Sequence, residues 1–159
     1  MKNEQYVHHL HRALELAEQA GAAGDVPVGA LVVDEAGDIL AEGFNTRESL
    51  HDPAGHAEVN ALRAAARARG NWNLADCTLV VTLEPCTMCA GAILNAHISR
   101  VVFGAWDEKA GAAGSVRDVL RDARLPHQVE VIGGVLEEET SAQLRAWFER
   151  LRDGGGSEA

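Results

Sequence analysis

The chain has 159 residues, 47% of them hydrophobic, enough to bury the core of one ordinary domain. No apolar run approaches the roughly 20 residues of a bilayer span, and the start of the chain carries Lys2, Glu4, Arg12 and the histidines His8, His9 and His11 where a signal peptide would be apolar. A cytoplasmic protein with no membrane association is therefore expected. The net charge of −10 argues against broad, sequence-independent nucleic-acid binding, which comes from Lys and Arg displacing counterions, and three cysteines, an odd number, make no disulfide scaffold.

In chain order, Val7, Leu10, Leu14 and Ala17 recur at helical spacing and predict an amphipathic helix over 4–20, stopped by Gly21 and Gly24. Residues 28–33 and 39–44 are β-rich runs around the polar turn Asp34-Glu35-Ala36-Gly37-Asp38 and read as a hairpin. A polar loop over 45–55 leads to a helix that begins at His56 and ends at Gly70. A buried strand over 78–83 runs into Glu84-Pro85-Cys86, and the cysteines open a helix through Leu94, with proline tolerated near its first turn. Residues 101–103 form a strand, 104–115 a Gly- and Ala-rich loop, 116–121 a short helix, 129–132 a last strand and 137–152 a closing helix. A hairpin followed by alternating strands and helices indicates a mixed, mostly parallel sheet with helices on both faces. One domain over 1–152 is expected, followed by a disordered tail over 153–159 that contains three consecutive glycines.

His56, Cys86 and Cys89 offer one imidazole and two thiols, the donors zinc prefers, and three protein ligands leave the fourth position that marks a catalytic ion. Both ligand segments start helices, whose partial positive charges favour thiolate over thiol, so the cysteines can lose their protons near neutral pH even before an ion binds. Glu58, two residues beyond His56, reaches the open position without being a ligand and is the natural proton carrier for a zinc-activated water. Taken alone, Cys-x-x-Cys equally suits half of a structural zinc site or a redox motif, and the upstream histidine and glutamate favour the catalytic reading. His8, His9 and His11 read as surface histidines of an amphipathic helix, and Arg63 and Arg67 as a solvated face or a phosphate contact.

His-x-Glu followed by Pro-Cys-x-x-Cys matches the signature of the zinc nucleobase deaminases. Together with Asp25-Val26-Pro27-Val28-Gly29-Ala30, His51-Asp52-Pro53, Thr82-Leu83-Glu84-Pro85-Cys86-Thr87-Met88-Cys89-Ala90-Gly91-Ala92 and Gly111-Ala112-Ala113-Gly114-Ser115, it makes the chain resemble the bacterial tRNA adenosine deaminases from about residue 5 to about residue 150. The resemblance implies a cytidine deaminase-like α/β fold, a three-layer α/β/α sandwich around a mixed five-stranded sheet. It also implies Zn2+ on His56, Cys86 and Cys89 with no organic cofactor, and Glu58 as proton shuttle. The implied substrate is the wobble adenosine of a tRNA anticodon loop, converted to inosine by a homodimer. By the same resemblance Asn45, Val28, Gly29 and the backbone of Ala57 line the base pocket, while Asp107, Lys109 and Phe148 lie around the anticodon loop. The sequence departs from the pattern at Trp106, where some members carry a basic residue, at Gly55, and in lacking a basic C-terminal extension. Trp106 could compensate by stacking on an extruded base, worth roughly 1–3 kcal/mol. The acidic charge keeps open an alternative substrate, a free nucleobase or nucleoside such as guanine or cytosine.

Overall fold

The computed structural model describes residues 4–155, in the order α1 (Glu4–Ala22), β1 (Gly29–Val33), β2 (Ile39–Phe44), α2 (Ala57–Arg69), β3 (Thr78–Leu83), α3 (Thr87–Asn95), β4 (Arg100–Ala105), β5 (Glu130–Ile132) and α4 (Glu137–Gly155). The strands form one five-stranded sheet in the order β2-β1-β3-β4-β5. β1 runs antiparallel to both β2 and β3, while β3, β4 and β5 run parallel. The mixed sheet is the one expected, with four strands pointing one way and β1 against them; two of its four pairings are antiparallel because the hairpin inserts β1, not β2, beside β3.

Side-chain alternation sorts the sheet into two faces. Leu31, Val33, Val80 and Val102 pack on Tyr6, Leu10, Ala13 and Leu16 of α1. Ala30, Val32, Leu79, Val81, Val101 and Phe103 pack on Ala57, Ala61, Leu62 and Ala65 of α2 and on Ala90 and Ile93 of α3. α4 lies on the α1 side, where the Gln143 side-chain amide donates to the Leu14 carbonyl at 3.0 Å and Thr140 sits over Gly104. The three-layer α/β/α arrangement follows. On α1 the buried stripe is Tyr6, Leu10, Ala13, Leu16, Ala17 and Ala20, so Val7 and Leu14 lie at its edges.

Two expectations change at the C-terminal half. Residues 116–121 form no helix: Gly114 takes a φ of 134°, Ala113 pairs with Asp118 as an isolated bridge, and Val119 N–H donates to the Ala112 carbonyl at 2.8 Å. α4 continues to Gly155, past the expected end at Arg152, and the rest of the anticipated tail, 156–159, lies outside the described residues. Among the described residues no helix is long and apolar enough to cross a membrane.

Two glycines let the helices approach. A Cβ on Gly29 would collide with the Ala13 carbonyl of α1, and one on Gly43 would lie 2.6 Å from the Ala57 carbonyl and the Ala61 amide of α2. Backbone on both sides of the contact cannot rotate away, so relief requires moving the helix. Gly43→Ala is therefore expected to lower the denaturation midpoint by the equivalent of about 2–3 kcal/mol. Gly91→Ala, on α3 where nothing lies within 4 Å of the added carbon, should raise it by roughly 0.5–1 kcal/mol. Equal midpoints for the two variants in urea would remove the close-approach constraint.

Candidate metal centre and catalytic cavity

The centre forms beyond the C-terminal ends of β3 and β4, where β1 and two helices begin. His56 is the N-cap of α2 (φ −87°, ψ 150°) and Cys86 the N-cap of α3 (φ −79°, ψ 176°), and neither side chain caps its own helix. An N-cap side chain ordinarily accepts a free N–H of the first turn. Here both are released from that task and turn toward each other. Their backbones still open the helices, with Asn60 N–H donating to the His56 carbonyl at 3.0 Å and Ala90 N–H to the Cys86 carbonyl at 2.8 Å.

Nδ1 of His56 lies 3.5 Å from Sγ of Cys86 and 3.4 Å from Sγ of Cys89, and all three donor atoms fall within 4.8 Å of one another. A tetrahedral zinc with bonds of about 2.3 Å to sulfur and 2.0–2.1 Å to nitrogen sets N···S edges of about 3.6 Å. The triangle fits that ion in donor type and in size.

The three groups and Glu58 set one another's protonation. The hydrogen bond from Cys89, followed by that with His56, lowers the Cys86 thiol to about 4, while Cys89 is held protonated, far above the ordinary thiol range, by the same sulfur contact and by burial. The Cys86 contact also raises His56. The expectation that both cysteines lose their protons ahead of an ion is thus corrected to one thiolate: a second negative sulfur would sit against the first and against Glu58. Burial pushes Glu58 up to about 7, in a side chain only 4% exposed.

A cavity of about 630 Å³ opens beside the centre, with His56, Cys86 and Glu58 in its wall and Cys89 buried behind them. Of the expected substrate contacts, Val28, Asn45 and Asp107 line it. The Asn45 amide donates to the Val26 carbonyl at 3.0 Å and its Oδ1 accepts the Ala57 N–H at 2.8 Å, so Asn45 and the Ala57 backbone are joined to each other at the cavity edge. Gly29 faces α1 and donates its N–H to Thr82 Oγ1 at 3.2 Å. Lys109 is exposed, with its N–H on the Asp107 carboxylate, and Phe148 is 46% exposed, edge-on to Trp147, which does line the cavity together with Leu151. These three expected contacts therefore sit outside the wall. His9, by contrast, lines a separate polar cavity at the opposite end of the strands with Asp76 and Arg100.

Two buried carboxylates escaped the sequence reading. Asp25 accepts the N–H groups of Glu48 and Ser49 at 2.7 and 3.1 Å, fixing the 45–55 loop, and Glu84 accepts from the 107–115 segment on the other side of the mouth. Both are invisible in sequence because their partners are main-chain amides, which every residue but proline carries.

The Glu58 shift has a sign that can be tested. Its folded value of about 7 stands above the ordinary 4.5, so the stability it contributes is complete below about pH 4.5 and is lost as the pH rises through about 7. In chelator-stripped protein, Glu58→Gln should gain stability over the unchanged chain between pH 5 and pH 8, by at most about 2–3 kcal/mol. Cys86 and His56 interact with Glu58, so the comparison reads the Glu58 titration together with its coupling to these two neighbours. A difference in urea midpoints that does not change between the two pH values would show that Glu58 does not titrate in that window.

Residues 2–105 match the family described as the cytidine and deoxycytidylate deaminase zinc-binding region. A tRNA-specific adenosine deaminase of Haemophilus influenzae is 50% identical over 141 residues, 89% of this chain and 82% of that protein. A solved structure from a study of A-to-I editing by tRNA:A34 deaminases at the wobble position of transfer RNA superposes with a TM-score of 0.81 at 38% identity, covering 86% of this chain and 98% of the other. A guanine deaminase from Nitrosomonas europaea superposes with a TM-score of 0.76 at 26% identity, covering 86% and 81%. With its ligand triangle, its buried glutamate and these relatives, the chain belongs to the bacterial tRNA-specific adenosine deaminases of the zinc-binding cytidine and deoxycytidylate deaminase family.

Proposed function

We propose that the chain hydrolyses the exocyclic amine of the wobble adenosine in a tRNA anticodon loop, leaving inosine and ammonia. The observation that carries the reading is Glu58, buried with a pKa of about 7 in the wall of the cavity that also exposes His56 and Cys86. A general acid–base works best when its pKa lies near the working pH, because it then both takes and returns a proton readily. His56, Cys86 and Cys89 would hold zinc, whose Lewis acidity makes a hydroxide nucleophile available near neutral pH.

As the water oxygen bonds to C6 of the adenine, Glu58 takes the water's proton and passes it to ring nitrogen N1. Glu58 then delivers the second proton of that oxygen to the amine, the C6–N bond breaks, and ammonia departs with its electron pair. The C6 carbonyl and the N1–H of inosine remain. Val28 and Leu83 supply apolar wall, and Asn45 and Asp107 polar groups, within a volume in the middle of the range of small-ligand cavities. A base must leave its stack to enter, which an anticodon loop allows at lower cost than a duplex. The chain acts, in this reading, as a cytoplasmic homodimer. Gly29, Lys109 and Phe148, outside the wall in the single chain, then serve the packing of α1 or the outer RNA rather than the base itself.

The charge of the cavity favours a second reading. Asp25, Glu48, Glu58, Glu84 and Asp107 line it against Arg47 and His56, a balance that suits an uncharged free base better than a phosphate. An anticodon stem-loop with A at the wobble position and free guanine or cytidine, offered to the zinc-loaded protein, separate the two. Inosine in the stem-loop is the expected product, and ammonia from a free base alone would replace the first reading by the second. Glu58→Ala should keep its zinc and its fold and lose turnover on the order of 10²–10⁴-fold; unchanged turnover would take Glu58 out of the mechanism. Sedimentation at micromolar concentration should give twice the mass of one chain.

A further inference from the structure

Glu84, like Asp25, is a buried carboxylate for which the proton chemistry has no use, and it lies next to the ligand segment. Its side chain, 2% exposed, sits between the end of β3 and the ligand Cys86 and lines the cavity. Oε1 accepts the Asp107 N–H at 2.9 Å and lies 2.6 Å from the Ser115 hydroxyl, while Oε2 accepts the N–H groups of Ala113 and Ser115 at 3.0 and 3.1 Å. A carboxylate has room for about four donors, and these four come from a single segment of nine residues, 107–115.

That segment is wound around the carboxylate. Gly111 comes so close that a Cβ would collide with Oε1 and with the Ser115 hydroxyl. The Ser115 oxygen also lies 2.8 Å from the Asp107 carbonyl, and Gly111 N–H donates to the same carbonyl at 2.9 Å, closing the loop on itself. Ala112 N–H donates to the Pro85 carbonyl at 2.8 Å, and Gly111 pairs with Cys86 as an antiparallel bridge. The residues of this segment that reach the cavity wall are Asp107 and Ala110. Without an anion at its centre, the segment would leave three main-chain N–H groups without acceptors.

We propose that Glu84 is the positioning residue of the cavity wall: its carboxylate gathers the 107–115 segment so that Asp107 and Ala110 stand against the substrate beside Cys86. The inference rests on the deaminase reading above. Because charge-assisted hydrogen bonds are the stronger ones, loosening the wall should weaken substrate binding on the order of tenfold or more.

Glu84→Gln and Ser115→Ala, in the zinc-loaded full chain, test it by amide hydrogen exchange, zinc content and steady-state kinetics on the wobble-adenosine stem-loop. In Glu84→Gln, Asp107, Ala113 and Ser115 should exchange on the order of tenfold faster while β3 stays protected. Zinc content should hold, and most of the loss should fall in KM. Ser115→Ala removes only the hydroxyl that contacts Glu84 and the Asp107 carbonyl and should move both readouts in the same direction by less; it decides the matter if Glu84→Gln does not fold. Unchanged exchange over 107–115, or faster exchange with an unchanged KM, overturns the proposal, since a residue that only supports the fold would lower the melting temperature and leave KM alone. If the unchanged protein makes no inosine on the stem-loop, the substrate reading fails by itself, and the exchange data with KM for free guanine still decide Glu84.

Discussion

The site depends on two helices beginning at one point. His56 and Cys86 both occupy N-cap positions, and a residue there has an extended backbone that projects its side chain away from the helix it starts. Because α2 and α3 pack on the same face of the sheet, their first residues converge beyond the strand ends. Cys89, one turn into α3, follows from the helical repeat. The partial positive charge of each helix start is directed at the same place, which is where a thiolate and a buried glutamate have to be tolerated. The close approach of α2 over Gly43 and of α1 over Gly29 keeps that convergence fixed from both faces.

Around this point the buried carboxylates differ in what surrounds them. Glu58 has burial and no compensating partner strong enough to keep it charged, so it stays near neutrality and exchanges protons. Asp25 and Glu84 are equally buried but are surrounded by main-chain N–H donors, and they serve as anchors for the two loops that flank the mouth. The three buried carboxylates of the cavity thus differ because their hydrogen-bond environments differ, not because their chemistry does.

Much of this was legible in the residues. The helix starts at His56 and Cys86 follow from Ala- and Leu-rich stretches that begin there, and the ligand triangle from donor types and spacing. What sequence could not give lies where main chain meets side chain at long range. The stretch Val116 to Arg121 has a helical composition, yet the carboxylate of Glu84 and the bridge between Ala113 and Asp118 hold the preceding residues in a conformation no helix can continue. The strand order was not legible either, because a hairpin does not reveal which of its strands joins the next one. The need for glycine at position 29 was hidden as well, since it comes from the close approach of α1 in the folded chain.

Cys77 lies fully buried at the start of β3, its thiol pushed up to about 11 by burial and then by Asp76. It is a poor nucleophile, while Cys86, half-exposed and held as a thiolate, is a good one. Peroxide or an alkylating reagent will therefore find its target at the ligand set and nowhere deeper. Oxidation of that thiolate would remove one donor of the triangle and leave the buried core as it is.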